Sequence, residues 1–95
     1  MRIHIDTARV TWRKLRDEVV LLHLDTGAYY SLNETGALMW QGLVDGRSYP
    51  DIIADVITTY EVDERMAQQD FERLVNELAD QGLVDLVEDD SGGAE

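Results

Sequence analysis

Residues 24–40 read LDTGAYYSLNETGALMW, and the fold class turns on how this stretch divides. Asp25-Thr26-Gly27 has the composition of a tight hairpin loop, with glycine where a positive φ is needed. Ala28 to Leu32 carries two tyrosines and a closing leucine, the pattern of a short returning strand. Asn33 then offers a side-chain acceptor to the free amides of a first helical turn, so the strand passes directly into a capped helix. That helix is expected to run to about Val44 and to end at Asp45-Gly46. Ala37, Trp40, Leu43 and Val44 fall near its inner stripe, with Met39 at the border.

Upstream, VVLLHL at 19–24 is nearly all apolar, as in a strand covered on both faces or on one face with a partly covered back. RVTWRKLR at 9–16 alternates roughly and is basic, as an edge or solvent-facing strand would be. A three-residue loop at 25–27 sets Leu24 opposite Ala28, Leu22 opposite Tyr30 and Val20 opposite Leu32. Those six are expected to face the core, with Leu21, His23, Tyr29 and Ser31 on the other side.

Downstream, Ser48-Tyr49-Pro50-Asp51 opens a second helix, capped by Ser48, whose inner positions are Ile52, Ile53, Val56, Ile57 and Tyr60. A third begins at Asp63 and ends with Gly82 in the C′ position. Ala67, Phe71, Leu74 and Leu78 form its inner line, with Met66, Asp70, Arg73 and Glu77 along one shoulder. LVDLV at 83–87 reads as a short terminal strand, and EDDSGGAE at 88–95 as an acidic, disordered tail. Strands first and helices grouped after them give an α+β class: a three-stranded antiparallel sheet followed by three helices, winged-helix-like, in one domain over 1–87.

The chain has 95 residues, enough for one small core, and a formal net charge of −12. That charge is uneven: the first 16 residues hold five of the eight basic residues and a single acid, for +4, leaving −16 on the rest. Most of such a surface repels a phosphate backbone, so nucleic acid is not an expected partner. No apolar run approaches a membrane span and MRIHIDTAR is not a signal peptide, so a cytoplasmic protein without membrane contact is expected. Cysteine is absent, His4 and His23 have no second ligand at metal spacing, and no serine or histidine stands in a nucleophile context. These features argue against an enzyme, a metal site or a cofactor.

LDTGAYYSLN, ETG, MW, GRSYPDI, the Y-x-V-D break at 60–63 and D-F-x-x-L-V-x-x-L-x-x-x-GLV at 70–84, in this order and spacing, resemble the PqqD-like family of peptide carriers, or RiPP recognition elements. The resemblance spans about residues 7–87 and is nearest in flavour to the small stand-alone members of lasso-peptide biosynthesis. It implies a non-catalytic domain that binds the leader segment of a ribosomally made precursor peptide. The leader adds to the third strand, at Ala28, Tyr29, Tyr30, Ser31 and Leu32, and lies against a wall of the third helix drawn from Asp70, Arg73, Leu74, Glu77 and Leu78. The implied partners are the precursor peptide, a leader-cleaving protease and a macrolactam-forming cyclase. Two other readings stand beside it: a carrier for a radical enzyme in pyrroloquinoline quinone synthesis, and a winged-helix DNA-binding regulator. Residues 63–82 hold six acids against two arginines, which opposes the last.

Independently of the resemblance, Ala28 to Leu32 has no proline, lysine or other charge, so as an edge strand it lacks the usual protection against pairing with another chain. The plainer reading of Asp70, Arg73 and Glu77 is a solvated shoulder with an internal i,i+4 ion pair worth about 0.3–0.5 kcal/mol. Arg9, Arg13, Lys14 and Arg16 read either as a solvated edge or as a docking patch for an acidic partner.

Overall fold

The computed structural model describes residues 2–87; the acidic tail expected at 88–95 lies outside the described residues. In chain order the elements are β1 (Arg2–His4), β2 (Val10–Leu15), β3 (Glu18–His23), β4 (Tyr29–Leu32), α1 (Glu34–Val44), α2 (Tyr49–Tyr60), α3 (Glu64–Asp80) and β5 (Asp85–Val87). Strands β2, β3 and β4 form an antiparallel sheet in that order, and β1 pairs with β5 in a separate antiparallel ribbon. The class is α+β, a three-stranded sheet followed by three helices, with a ribbon joining the two ends. The ribbon's β1 was not expected. Its three residues pair more than eighty positions away, and the only local trace is the Ile3-x-Ile5 alternation.

Each helix starts where a side chain can replace a missing intrahelical acceptor. Asn33 accepts from the Gly36 amide at 2.9 Å, Ser48 from Asp51 at 3.3 Å and Asp63 from Met66 at 2.7 Å. Pro50 occupies the first turn of α2, where its absent N–H costs nothing.

The hairpin register differs from the expected one by a residue. Val19 lies opposite Leu32, Leu21 opposite Tyr30 and Leu22 opposite Tyr29. The His23 amide bonds to the Ala28 carbonyl at 2.9 Å, so four residues, Leu24 to Gly27, span the turn. The imidazole explains this: His23 Nδ1 accepts from the Asp25 amide at 3.2 Å and the Thr26 amide at 3.4 Å, organising the loop from beneath. On β3 the core face is therefore Val19, Leu21 and His23 rather than Val20, Leu22 and Leu24. On β4, Tyr30 and Leu32 point inward as expected.

Two apolar clusters share the interior. Between sheet and helices lie Val10, Val19, Leu21, Leu32, Ala37, Trp40, Leu78, Leu83 and Val84. Trp40, fully buried, meets Trp12 edge-on with ring centroids 5.2 Å apart. Among the helices lie Met39, Ile52, Ile53, Val56, Ala67, Phe71 and Val75. Val75 takes the buried place expected of Leu74, which is only half-buried on the flank of α3. Helices α1 and α2 cross closely at Gly42, where a Cβ would stand 2.7 Å from Ile52 Cγ1. No helix among the described residues is long and apolar enough to cross a membrane.

Candidate peptide-binding cleft between strand β4 and helix α3

Strand β4 is an edge: β3 covers one side, and no described strand pairs with the other. Antiparallel ladders alternate bonded and non-bonded pairs, and the bond from the His23 amide to the Ala28 carbonyl fixes the phase. Tyr30 and Leu32 thus turn their backbone groups toward β3, while Tyr29 and Ser31 turn theirs outward. The opposite edge, β2, carries Arg13 and Lys14, which discourage strand pairing, whereas β4 carries no charge.

Beside the open edge runs a cleft of about 230 Å³. Tyr30, Ser31 and Leu32 form one wall, and Asp70, Arg73, Leu74 and Glu77 of α3 the other. The first turns of α1 close the floor with Asn33, Thr35, Gly36 and Met39. These four were not anticipated. The usable signal was that Thr35 and Met39, four apart on a helix starting directly after β4, project alongside that strand.

The side chains of three anticipated residues do not line this cleft. Ala28 sits in the turn before β4, Tyr29 projects from the outer face of the sheet with 73% of its surface exposed, and Leu78 has no exposed surface and belongs to the core beneath the cleft. Leu74 and Leu78 share a face of α3, and their difference lies along the helix axis: Leu78 sits in the cluster with Leu21 and Trp40, while Leu74, one turn earlier, reaches the opening.

The charged groups of the wall have internal partners. Arg73 pairs with Asp70 at 2.8 Å, an i,i+3 contact, in place of the expected i,i+4 pair with Glu77. Glu77 instead accepts the hydroxyl hydrogen of Tyr30, which joins the two walls at one end of the cleft. That bond favours the neutral phenol, and together with burial and the charge of Glu77 it pushes the Tyr30 pKa up to about 12. The resulting site has the half-buried Leu74 as its apolar contact above the buried Leu32 and Met39, outward backbone donors and acceptors along one rim, and a Tyr–Glu and an Arg–Asp pair along the other. It can bond a main chain laid along β4 and receive alternate side chains.

No curated protein matches the chain in sequence. Among solved structures, "TbiB1 in Complex with the TbiA(beta) Leader Peptide" superposes with a TM-score of 0.81 at 31% identity, covering 94% of this chain and 100% of that one. "Lasso peptide synthetase B1 complexed with the leader peptide" superposes with a TM-score of 0.81 at 29% identity, covering 90% and 100%. Residues 18–84, well over half of the chain, match the family model described as Coenzyme PQQ synthesis protein D (PqqD), and the chain belongs to this PqqD family.

Proposed function

We propose that this chain is a non-catalytic module that captures the leader segment of a ribosomally synthesised precursor peptide by strand addition to β4. The observation that carries this reading is the uncharged, unpaired edge of β4, with the backbone groups of Tyr29 and Ser31 turned outward beside the cleft. The two similar structures are complexes with leader peptides, and they match along nearly the whole chain. Main-chain bonds would supply affinity and the cleft would sort side chains, with the half-buried Leu74 offering apolar contact to a residue of the leader.

In this role the module contributes proximity. Holding the leader raises the effective concentration of the attached core peptide at enzymes that do the chemistry elsewhere. By resemblance to the lasso-peptide members, those enzymes are a leader-cleaving protease and a macrolactam-forming cyclase, and the setting is the cytoplasm. The PqqD description favours a second client, the peptide precursor of pyrroloquinoline quinone presented to a radical enzyme. The two readings use the same edge and differ in the peptide bound.

Titration of the labelled protein with each leader peptide separates the readings. The cognate leader is expected to move the amide signals of residues 29–32 and of α3. Shifts confined to the basic β2 strand would refute strand addition.

A further inference from the structure

We propose that the cleft reads charge: the leader residue that lies beside Tyr30 is a lysine or arginine, recognised by the Glu77 carboxylate. This rests on the leader-capture reading and goes beyond it by fixing the chemistry of one leader position.

Whichever way it runs, a strand added to β4 turns successive side chains to opposite faces of the sheet. Leader residues beside Tyr29 and Ser31 therefore face the outer side, and those beside Tyr30 and Leu32 face the cleft and α3. Strand β4 spans only Tyr29–Leu32, and the chain leaves it at Asn33 to cap α1. Two leader side chains thus enter the cleft, about 7 Å apart along the strand.

The one beside Tyr30 meets Glu77, because the Tyr30 hydroxyl is bonded to Glu77 Oε1. A phenol is neutral, so it occupies one acceptor and leaves the negative charge in place. The other carboxylate oxygen has no partner among the described residues. Arg73, one turn earlier, is committed to Asp70 at 2.8 Å, and Asp80, one turn later, adds an exposed acid. The β4 and α1 residues that face α3 across the cleft carry no charge. The lining therefore holds two acids, Asp70 and Glu77, against the single base Arg73. Cations elsewhere do not offset this: Arg9 is engaged by Asp6 and Asp85, Arg13 shares the outer-face row of Val20, and Lys14 and Arg16 adjoin Asp17 and Glu18 at the β2–β3 turn.

A lysine or arginine at this position compensates the charge that the phenol leaves, and its methylene stem can lie along the half-buried Leu74. A neutral donor would supply a hydrogen bond alone, and an acidic residue would be repelled, so the site discriminates by repulsion as well as by attraction. Glu77 is exposed, which keeps the preference modest.

The test is a positional scan. The leader of the precursor peptide encoded beside this chain is made with each residue in turn replaced by lysine, norleucine or glutamate, and each peptide is titrated against the full chain. At one position lysine should bind about threefold tighter than norleucine and about tenfold tighter than glutamate, and added salt should shrink the difference. Glu77→Gln keeps an acceptor for the Tyr30 hydroxyl and loses the charge, so it should make lysine and norleucine equivalent there. Glu77→Lys should reverse the order and favour glutamate. Because residue 77 is exposed, neither variant disturbs the core. A scan with no such position, or a lysine preference that survives Glu77→Gln, overturns the proposal while leaving leader capture intact. Failure of the wild type to bind any peptide of the set is a separate result, which strikes the leader-capture reading and this proposal with it.

Discussion

The Tyr30 hydroxyl donates to the Glu77 carboxylate and thereby ties the edge strand β4 to helix α3 across the mouth of the cleft. One wall is thus held at a set distance from the other before any peptide arrives, and the contact joins residues 47 positions apart.

A first prediction concerns the titration of Tyr30. Its folded pKa is raised from 10.0 to about 12, so the folded state holds the proton more tightly than the unfolded chain. The stabilisation is complete below about pH 10 and lost as pH rises toward about 12. Tyr49 and Tyr60 are also raised, each first by burial and then by nearby carboxylates. Assignment therefore needs variants. In an absorbance titration near the phenolate band, Tyr30→Phe should remove the latest-ionising tyrosine, and Glu77→Gln should move that step toward the ordinary value. An unchanged late step in Glu77→Gln would show that the bond does not form in solution.

The hairpin register makes a second prediction. Leu21 has no exposed surface and faces Trp12 and Tyr30, whereas Leu22 lies on the outer face. Leu21→Ala should cost about 2–5 kcal/mol and Leu22→Ala about 1 kcal/mol or less. A three-residue turn reverses that order. Chemical denaturation of the two variants distinguishes the registers.

That contrast also shows where a single sequence stops being informative. Helix starts at Asn33, Ser48 and Asp63 were legible, because one side chain bonds an amide three residues away and the requirement is local. The charge-free edge at Ala28–Leu32 was legible for the same reason. The register was not. It depends on an imidazole that accepts from two loop amides, and His23 within VVLLHL gives no sign that it is buried and shapes the turn. The cleft was half legible: its β4 and α3 walls follow from pattern and resemblance, but the floor at Asn33, Thr35, Gly36 and Met39 depends on the angle at which α1 leaves β4. The Tyr30–Glu77 contact needs the tertiary fold, without which Glu77 is simply available to Arg73 one turn away.

The crossing of α1 and α2 yields a third prediction. Alanine favours an isolated helix over glycine by about 1 kcal/mol, yet at position 42 its methyl would stand 2.7 Å from Ile52 Cγ1. Ile52 is buried and cannot swing away. Gly42→Ala should therefore destabilise the domain by about 1–3 kcal/mol. The effect should shrink or reverse in an Ile52→Ala background, which removes the clashing atoms. Equal costs in both backgrounds, read from thermal melts, would mean that the helices do not approach this closely.

The last prediction separates the two kinds of residue along β4. The Ser31 amide faces outward, so Ser31→Pro removes a donor that a captured peptide needs and spares the ladder to β3. The Tyr30 amide faces inward, so Tyr30→Pro breaks the pairing with Leu21 and also removes the hydroxyl bonded to Glu77. Both should abolish leader capture, but through different losses: Ser31→Pro should keep most of the thermal stability, and Tyr30→Pro should lower it markedly. The reciprocal experiment acts on the peptide. Replacing single leader amides by esters should weaken binding only at alternate positions, those that donate to the outward carbonyls of Tyr29 and Ser31, by about fivefold to tenfold each. Uniform sensitivity along the leader, or micromolar affinity retained by Ser31→Pro, would move the binding site away from this edge.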